Sequence, residues 1–299
     1  MTFVKDLKKR IATVKNIGKV TETMRLISTS RFQRISSNIK NAQDFFQCMS
    51  TRLQSIYYTE KDYYFRSINN ILKNYQTSRI LIIIIGSDKG LCGGFNNQIT
   101  KKLFDLIDIY NESNKSYNLI CLGKRVYESI KCIFNEHIIR NFSSTSDKNT
   151  HPYINSIKFS QDIVSLIKQG DYSDCVIIYT NFITTSKQEP RIQSIKSLLS
   201  QDIKPMPDSK NDVLTLDNKI SCVLSVVIEY YLHSYFYLCY TNSLSSEEVI
   251  RMISMNGATE NAKDVLKNML ILQNRKRQSL ITGELIEIIS GVEAMNHNI

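Results

Sequence analysis

A glycine-rich turn is the segment of this 299-residue chain whose residue types and spacing are most typical of ligand chemistry. It runs from Gly86 to Asn96 (GSDKGLCGGFN), after an apolar run and before a helical pattern, which is the setting in which backbone N–H groups bind phosphates. Neither phosphate fingerprint fits, because the turn has no G-x-G-x-x-G and no Gly-Lys pair at the required spacing. We therefore predict a structural turn, formed around Gly90, Cys92, Gly93 and Gly94.

Catalytic and metal-binding patterns are missing from the sequence. It contains neither H-E-x-x-H nor G-x-S-x-G, and its four histidines (His137, His151, His233 and His297) are scattered, with no Cys/His group at zinc-ligand spacing. His233 lies in an apolar segment and is predicted to be a hydrogen-bonded core residue. We expect no catalytic residue, cofactor or metal in this chain.

The cysteines and the N-terminal residues indicate the cellular compartment of the protein. Seven cysteines without a C-x-x-C pair favour buried free thiols in a reducing compartment over a disulfide framework. Residues 1–6 are charged and lack an apolar core, so a secretory signal is not expected. The basic, acid-poor composition of residues 1–52 leaves a mitochondrial transit peptide to be considered.

Glycine and proline are scarce, which permits long helices at both ends. All four prolines lie between residues 152 and 207, and apolar residues from Val4 to Ile56 recur in steps of three and four. A helix of that length spans about 80 Å at ~1.5 Å per residue. The predicted apolar seam comprises Val4, Leu7, Ile11, Val14, Ile17, Val20, Met24, Ile27, Ile35, Ile39, Ala42, Phe46, Met49, Leu53 and Ile56.

A second long helix is predicted at the other end. Residues 245–248 (SSEE) match a capping box and predict a helix start. The apolar pattern that follows comprises Val249, Met252, Met255, Thr259, Ala262, Leu266 and Met269, then, after a polar belt at 273–279, Ile281, Leu285, Ile288, Val292 and Met295. Two narrow seams without local partners predict an antiparallel coiled coil between the two ends.

Strand and helix patterns alternate in the middle of the chain. Apolar runs at 80–85, 119–122 and 175–179 are combined with helical patterns at 97–110, 124–134 and 157–168, which predicts a parallel α/β domain. Residues 181–199 are predicted to be extended or hairpin-like, and 201–211, with Pro205 and Pro207, a surface loop. The fold class is thus α/β: a long antiparallel coiled coil with a Rossmann-like α/β domain inserted between its helices. The predicted domains are 1–58, 77–205 and 212–299, the last including a coiled-coil helix at 245–296.

Residues 220–240 are apolar at sixteen of 21 positions. Their length raises the possibility of a membrane span. Glu229 and His233 lie near the middle of the segment, and the longest uncharged apolar run is too short to cross a bilayer. A buried helix is therefore favoured.

The net charge of +10 is concentrated in residues 1–52, which hold eleven Lys/Arg and three Asp/Glu. Such a segment suggests an acidic partner, which could be nucleic acid, an anionic membrane or an acidic protein surface. A coiled-coil nucleic-acid-binding protein is one alternative and predicts binding that weakens steeply with salt. A dinucleotide-dependent enzyme is another alternative, but such an enzyme needs the G-x-G-x-x-G motif, which the glycine-rich turn lacks.

Three stretches together resemble the gamma subunit of the F-type, rotary ATP synthase. They are residues 7–34 (LKKRIATVKNIGKVTETMRLISTSRFQR), the turn at 87–96 (SDKGLCGGFN) and residues 251–294, in the family's order. The third stretch matches at Met252, Met255, Ala258, Thr259, Asn261, Ala262, Asn274, Arg277, Gln278, Ile281, Thr282, Glu284 and Leu285. The sequence departs from the family pattern at Gly18, Asn256-Gly257 and Gly283, where softer helices are expected.

The resemblance implies a bacterial-type central rotor shaft that couples proton flow through a membrane ring to ATP synthesis. The implied partners are the alpha and beta subunits of the catalytic hexamer, the epsilon subunit and the membrane c-ring, with no nucleic acid and no membrane span. It also implies a peripheral protein at the cytoplasmic face of the bacterial inner membrane, without a transit peptide, because family-like residues begin near Leu7.

Partner-contact residues are carried over by the same resemblance. Met24 is expected to face a catalytic-subunit lever, and Arg277, Gln278, Thr282 and Glu284 the loops that grip the shaft. Charge adds Lys8, Lys9, Arg10 and Arg275 as candidates.

Overall fold

A computed structural model describes residues 2–59, 64, 79–143, 152–169, 172–201 and 220–296. The chain forms two compact units, one of residues 1–29 and 251–299 (the helical unit) and one of residues 30–250 (the sheet unit). In chain order the elements are α1 (Thr2–Thr59), β1 (Ile80–Ile85), α2 (Phe95–Glu112), β2 (Tyr117–Leu122), α3 (Lys124–Phe134), a 3-10 turn (Asn135–His137), β3 (Ile138–Phe142), α4 (Pro152–Gln169), β4 (Asp174–Phe182), β5 (Gln188–Ser194), α5 (Ile195–Gln201) and α6 (Ile220–Asn296).

The sheet unit contains a five-stranded sheet in the order β3-β2-β1-β4-β5. The first four strands are parallel and β5 runs antiparallel to β4. The predicted parallel α/β domain is therefore confirmed, and β1 and α3 have the predicted bounds. Strand β3 was missed, because its sequence, IIRNF, is short and mostly exposed and so lacks the apolar run of an interior strand.

Alternate residues of β1 enter the two apolar cores of the sheet unit. Ile80, Ile82 and Ile84 pack with α2 and α3, and Leu81, Ile83 and Ile85 with α4, the C-terminal part of α1 and the first part of α6. Successive side chains of a strand point to opposite faces, so a strand covered on both faces is apolar throughout. This arrangement explains the unbroken isoleucine run.

The apolar segment at 220–240 is a buried helix, as predicted. Leu224, Ile228, Tyr231, Leu232 and Phe236 of α6 are each at most 1% exposed. They lie in the core that also holds Leu53 and Ile56 of α1, which confirms the second part of the predicted α1 seam. Within the described part of the chain, no helix is long and apolar enough to cross a membrane.

The predicted helix start at Ser245 is wrong. Helix α6 begins at Ile220 and continues to Asn296, so the SSEE motif lies inside it. The Ser245 hydroxyl donates to the carbonyl oxygen of Thr241 over 2.9 Å, four residues earlier in the same helix. A serine so placed bonds back to the helix instead of capping it, and the motif carries no information about what precedes it. The predicted loop at 201–211 lies outside the described residues, apart from Gln201 at the end of α5.

The helical unit confirms the antiparallel pairing of the two long helices. Thr21 contacts Thr259, while the Cβ of Ala262 lies 3.6 Å from the position that a Cβ on Gly18 would occupy. Residue numbers thus fall along α1 as they rise along α6. The α6 positions Met255, Thr259, Ala262 and Leu266 are buried or half-buried, as the predicted seam requires.

Part of the α1 seam takes a different path from the prediction. Leu7 is buried, as the predicted seam requires, but Ile17, Val20 and Ile27 are 50%, 59% and 41% exposed. Ser28, which the predicted seam leaves out, is buried. In this stretch small and polar residues occupy the contact line, so an apolar pattern alone selects the wrong side of the helix. The side chains of Val4, Val292 and Met295 lie outside the description.

The cysteines only partly follow expectation. Cys92, Cys121, Cys175 and Cys239 are buried free thiols, but Cys48 and Cys132 are exposed. Burial raises the pKa of Cys121 to about 12, which keeps it a neutral thiol near neutral pH.

Candidate functional site

The C-terminal part of α6 exposes both apolar and charged side chains. Ile281, Leu285 and Ile288 are 49%, 54% and 63% exposed, so the second half of the predicted seam is not covered in this chain. These residues alternate with polar ones, and every described residue from Arg275 to Gly291 other than Gly283 is exposed. Several exposed large apolar residues close together on one helix are typical of a surface that a partner covers.

The candidate contact residues of α6 lie on this exposed segment. Arg275, Arg277, Gln278, Thr282 and Glu284 are all exposed, so none is needed for the core. The Thr282 hydroxyl donates to the Gln278 carbonyl oxygen over 2.9 Å, within the helix itself. The side chains available to a partner here are two guanidinium groups, an amide and a carboxylate.

The candidate residues of α1 fall into two groups. Lys8, Lys9 and Arg10 are exposed, on the turn that follows buried Leu7, and Met24 is half-buried. The antiparallel register, which places Thr21 beside Thr259, puts Lys8 to Arg10 at the level of α6 residues near 271. The structure thus brings the first group towards Arg275 along the helical unit and leaves Met24 near the Thr21–Thr259 contact.

A groove with a cavity volume of about 650 Å³ lies between the two helices of the helical unit. The helices approach closely at Gly18 and Ala262, where a Cβ on Gly18 would lie 3.6 Å from Ala262 Cβ. The groove is lined by Val14, Lys15, Gly18, Lys19, Glu22, Thr23, Thr259, Ala262, Lys263 and Leu266. Its only carboxylate, Glu22, lies 2.6 Å from Arg25, whose hydrogen bond lowers the pKa of Glu22, so three lysines leave the groove positive.

The glycine-rich turn is held together by the side chain of Asn96. Its Oδ1 accepts from the Ser87 backbone N–H over 3.1 Å, and its Nδ2 donates to Ser87 Oγ over 2.7 Å. Nδ2 also lies 3.4 Å from Cys92 Sγ, which is buried. The hydrogen bonds of Asn96 to Ser87 and its contact with Cys92 therefore hold the two ends of the turn together.

The backbone of the turn is also hydrogen-bonded to the end of β2 and the start of α3. Gly86 N–H donates to Leu122 O over 2.7 Å, and Arg125 N–H donates to Ser87 O over 2.9 Å. A Cβ on Gly86 would lie 2.1 Å from Val126 Cγ2, and Gly123 has a φ of +114°. Close packing and a left-handed backbone thus require glycine at these two positions. Leu91 adopts a φ of 64° and is 57% exposed at the tip of the turn.

His233 occupies a polar cluster between α4 and α6. Its Nδ1 lies 2.7 Å from Ser160 Oγ, which in turn lies 3.0 Å from the Ile157 carbonyl oxygen. Burial lowers the pKa of His233, Glu229 opposes this effect, and Lys168 adds to it. Among the described residues no group of three or more His, Cys, Asp or Glu side chains is arranged to hold a metal ion.

A polar cluster at the carboxyl end of β4 is not among the residues predicted from sequence. Ser243 and Ser246 of α6 contact Thr180, and Arg31 of α1 contacts Glu248. Seven of the eight residues from Thr241 to Glu248 are polar, which could have indicated this cluster, but residues 245–248 were interpreted as a capping box.

Comparison with known proteins covers almost the whole chain. A family model described as ATP synthase matches residues 4–295. The ATP synthase gamma chain of Ehrlichia chaffeensis is 30% identical over 296 residues, which cover 99% of this chain and 100% of that protein. The ATP synthase gamma chain of Rickettsia akari is 32% identical over 303 residues, with the same coverage.

Solved structures share the fold. One chain of the Euglena gracilis mitochondrial ATP synthase, in a structure of its OSCP/F1/c-ring, superposes with a TM-score of 0.66 at 16% identity and covers 98% of this chain and 95% of that one. A chain from the central stalk/c-ring of the Tetrahymena thermophila mitochondrial ATP synthase gives 0.56 at 19% identity, covering 80% and 99%. Because the family model and the relatives span nearly every residue, this chain belongs to the ATP synthase gamma-chain family.

Proposed function

We propose that this chain is the central rotor shaft of a proton-translocating F-type ATP synthase. The observation that carries the proposal is the antiparallel pairing of α1 and α6, both far longer than the sheet unit's other helices, in a chain of the gamma family. Paired long helices resist bending and twisting and can therefore transmit rotation. A non-catalytic, mechanical role suits a chain with these elements.

The proposed partners are the alpha and beta subunits of the catalytic hexamer, the epsilon subunit and the membrane c-ring. The solved chains of similar fold come from an OSCP/F1/c-ring assembly and a central stalk/c-ring assembly, which supports this set. We place the protein peripherally at the cytoplasmic face of the bacterial inner membrane, in line with its bacterial relatives.

The exposed surface of the helical unit suits such partners. Ile281, Leu285 and Ile288 are exposed apolar side chains that surrounding subunits can bury. The hydrophobic effect that drives such burial is non-directional. Basic residues of α1 add attraction to acidic loops, and because the surface differs around the shaft, this attraction depends on its angle. Exposed ion pairs contribute only about 0.2–1 kcal/mol each, so coupling is shared among many contacts and shape.

We propose partner contacts at the residues set out above from the resemblance and from charge. They are Met24, Arg277, Gln278, Thr282 and Glu284, with Lys8, Lys9, Arg10 and Arg275. The exposure of all but Met24 supports the assignment. For the turn at Gly90, Cys92, Gly93 and Gly94, its internal bonds support a structural role.

Affinity purification of the tagged chain from its own membranes tests the proposal. We expect a complex that hydrolyses ATP and holds one copy of this chain with a hexamer of alpha and beta subunits. Recovery of the chain alone, or with nucleic acid, would contradict the proposal.

A matched pair of variants makes the test specific to the exposed surface of α6. Leu285→Asp places a charge on the apolar run and should reduce recovery of the hexamer, whereas Ser290→Asp places the same charge at an exposed polar position of the same helix and should not. Equal recovery with both variants would remove the apolar run from the proposed interface.

A further inference from the structure

Helix α6 contacts the sheet close to the point at which doubly wound sheets bind their ligands. That point is a crevice at the carboxyl ends of neighbouring strands where the strand order reverses. In the sheet unit this point lies between β1 and β4, because β1 pairs with β2 on one side and with β4 on the other. The last β4 residue paired with β1 is Ile178, and two residues later Thr180 contacts α6.

The contact consists of hydrogen bonds from backbone to side chain. The Thr180 backbone N–H donates to Ser243 Oγ over 3.0 Å, and the Ser246 hydroxyl donates to the Thr180 carbonyl oxygen over a longer 3.4 Å. Thr180, Ser243 and Ser246 are at most 2% exposed. These bonds are therefore shielded from water, and the Ser243 bond is the stronger of the two by its length.

The proline at position 190 is consistent with Thr180 facing α6 instead of β5. Pro190 of β5 lies opposite Thr180 in the antiparallel pair and has no N–H to donate. In an antiparallel strand the N–H and C=O of one residue point to the same side, and those of Thr180 point away from β5, towards α6. Two serine hydroxyls of α6 thus take the place that a neighbouring strand would fill.

Helix α1 is attached at the same end of β4. Phe32 and Phe182 have ring centroids 5.5 Å apart, and Arg31 Nη1 lies 3.5 Å from Glu248 Oε1. These residues also belong to the sheet unit. The end of β4 is therefore bound to both long helices.

We infer that Thr180, Ser243 and Ser246, which we call the β4 joint, lock the sheet to α6 against rotation, with Ser243 as the main positioning residue. The inference rests on the proposed rotor function. Apolar packing is non-directional and lets a helix turn or slide against a sheet, whereas a hydrogen bond has a preferred direction. A shaft that carries torque from its sheet domain into a helix needs such directional contacts.

The test compares three serine-to-alanine variants in membrane vesicles that carry the complete complex. Ser243→Ala and Ser246→Ala each remove one bond of the β4 joint. Ser245→Ala is the matched control, because Ser245 is equally buried but its hydroxyl bonds only within α6, to Thr241 O. ATP hydrolysis, the proton gradient that it sustains and the amount of assembled complex are measured for each.

We expect Ser243→Ala to lower the sustained proton gradient relative to the hydrolysis rate, Ser246→Ala to lower it less, and Ser245→Ala to leave it unchanged. A purely structural effect would reduce assembly and change both activities in proportion. Hydrogen exchange of the Thr180 amide should also become faster in Ser243→Ala than in Ser245→Ala.

Two results would overturn the inference. If Ser243→Ala and Ser245→Ala pump equally well per ATP hydrolysed, the β4 joint has no coupling role while the rotor function stands. If the wild-type chain itself restores no pumping to a complex that lacks its gamma subunit, the proposed function fails, and the inference fails with it.

Discussion

The hydroxyl of Thr259 lies 2.8 Å from Oγ1 of Thr21 on α1 and 2.8 Å from the Met255 carbonyl oxygen on α6, so the Thr21–Thr259 contact joins the two helices within the helical unit. Thr21 in turn donates to the carbonyl oxygen of Gly18 over 3.1 Å. The polar pair lies next to the close approach of Gly18 and Ala262 and is partly shielded from water. It fixes the register of the two helices at a point where their contact is small and polar instead of apolar.

Thr259→Val should destabilise the chain by about 1 kcal/mol, because valine keeps the shape of threonine but removes the hydroxyl, and a typical hydrogen bond contributes about that amount. The free energy of unfolding in urea measures the change. Thr13→Val is the matched control, since the Thr13 hydroxyl is exposed and bonds only to Lys9 O in its own helix. Equal effects of the two substitutions would show that the contact between the helices contributes nothing.

Gly18→Ala should stabilise the chain by up to about 1 kcal/mol, the difference in helix propensity between the two residues. The added Cβ would meet Ala262 Cβ at 3.6 Å, an ordinary contact distance. Gly123→Ala should do the opposite, because its φ is +114° and the added Cβ would lie 2.7 Å from Gly86 O. Melting temperatures that shift in the same direction for both variants would contradict this reasoning.

Asn96→Ala should destabilise the sheet unit by about 2 kcal/mol, since it removes the bonds to the Ser87 N–H and hydroxyl at roughly 1 kcal/mol each. Asn97→Ala, at the next and exposed position of α2, should change stability little. Urea unfolding of the two variants provides the comparison. Similar stabilities would mean that Asn96 does not hold the turn.

Stability should fall as the pH drops below about 6.5, the ordinary pKa of histidine, partly through His233. Burial lowers the pKa of His233 in the folded state, so between that value and 6.5 the unfolded state binds more protons. The free energy of unfolding therefore rises with pH through this window. The contribution of His233 to stability is complete above pH 6.5. Ser160 and Lys168 on α4 and Glu229 on α6 are the polar and charged groups around the ring.

His233→Gln should flatten this pH dependence, and the difference between wild type and variant isolates His233 from other titrating groups. Unfolding in urea at several pH values between 5 and 8 measures it, at about half-unit intervals. Parallel curves for the two proteins would show that His233 does not contribute.

The sheet could be predicted from sequence because each interior strand buries both faces. Ile80–Ile85 has no polar residue, so its pattern has one interpretation, and helix α3 follows a glycine that marks its start. Periodicity was less informative on α1, where Ile17 and Val20 are apolar but exposed while Gly18 and Thr21 form the contact. Sequence periodicity alone does not distinguish an exposed apolar stripe from a buried one. The position of the partner helix is needed for that.

The β4 joint could not be predicted for a different reason. Ser243 and Ser246 act on the backbone of Thr180, and a backbone partner leaves no mark in the residue types. The same local sequence also satisfied a helix-capping motif at Ser245. Only the hydrogen bonds to Thr180 show that these serines face a strand.

Arg277→Glu and Gln278→Leu should weaken coupling without unfolding the chain. Both side chains are exposed on α6, so the fold does not depend on them, and an exposed charged contact contributes about 0.2–1 kcal/mol. A loss of 1 kcal/mol corresponds to a factor of about five, which is the largest fall in ATP synthesis expected from either change alone.

Lys276→Glu, at an exposed position between Arg275 and Arg277 that is outside the proposed contact set, is the matched control for the charge change. Synthesis is measured in energised vesicles at equal amounts of assembled complex. Wild-type rates in both variants would remove Arg277 and Gln278 from the contact surface, whereas a loss in Lys276→Glu as large as in Arg277→Glu would show that the partner senses the overall charge of this segment instead of individual side chains.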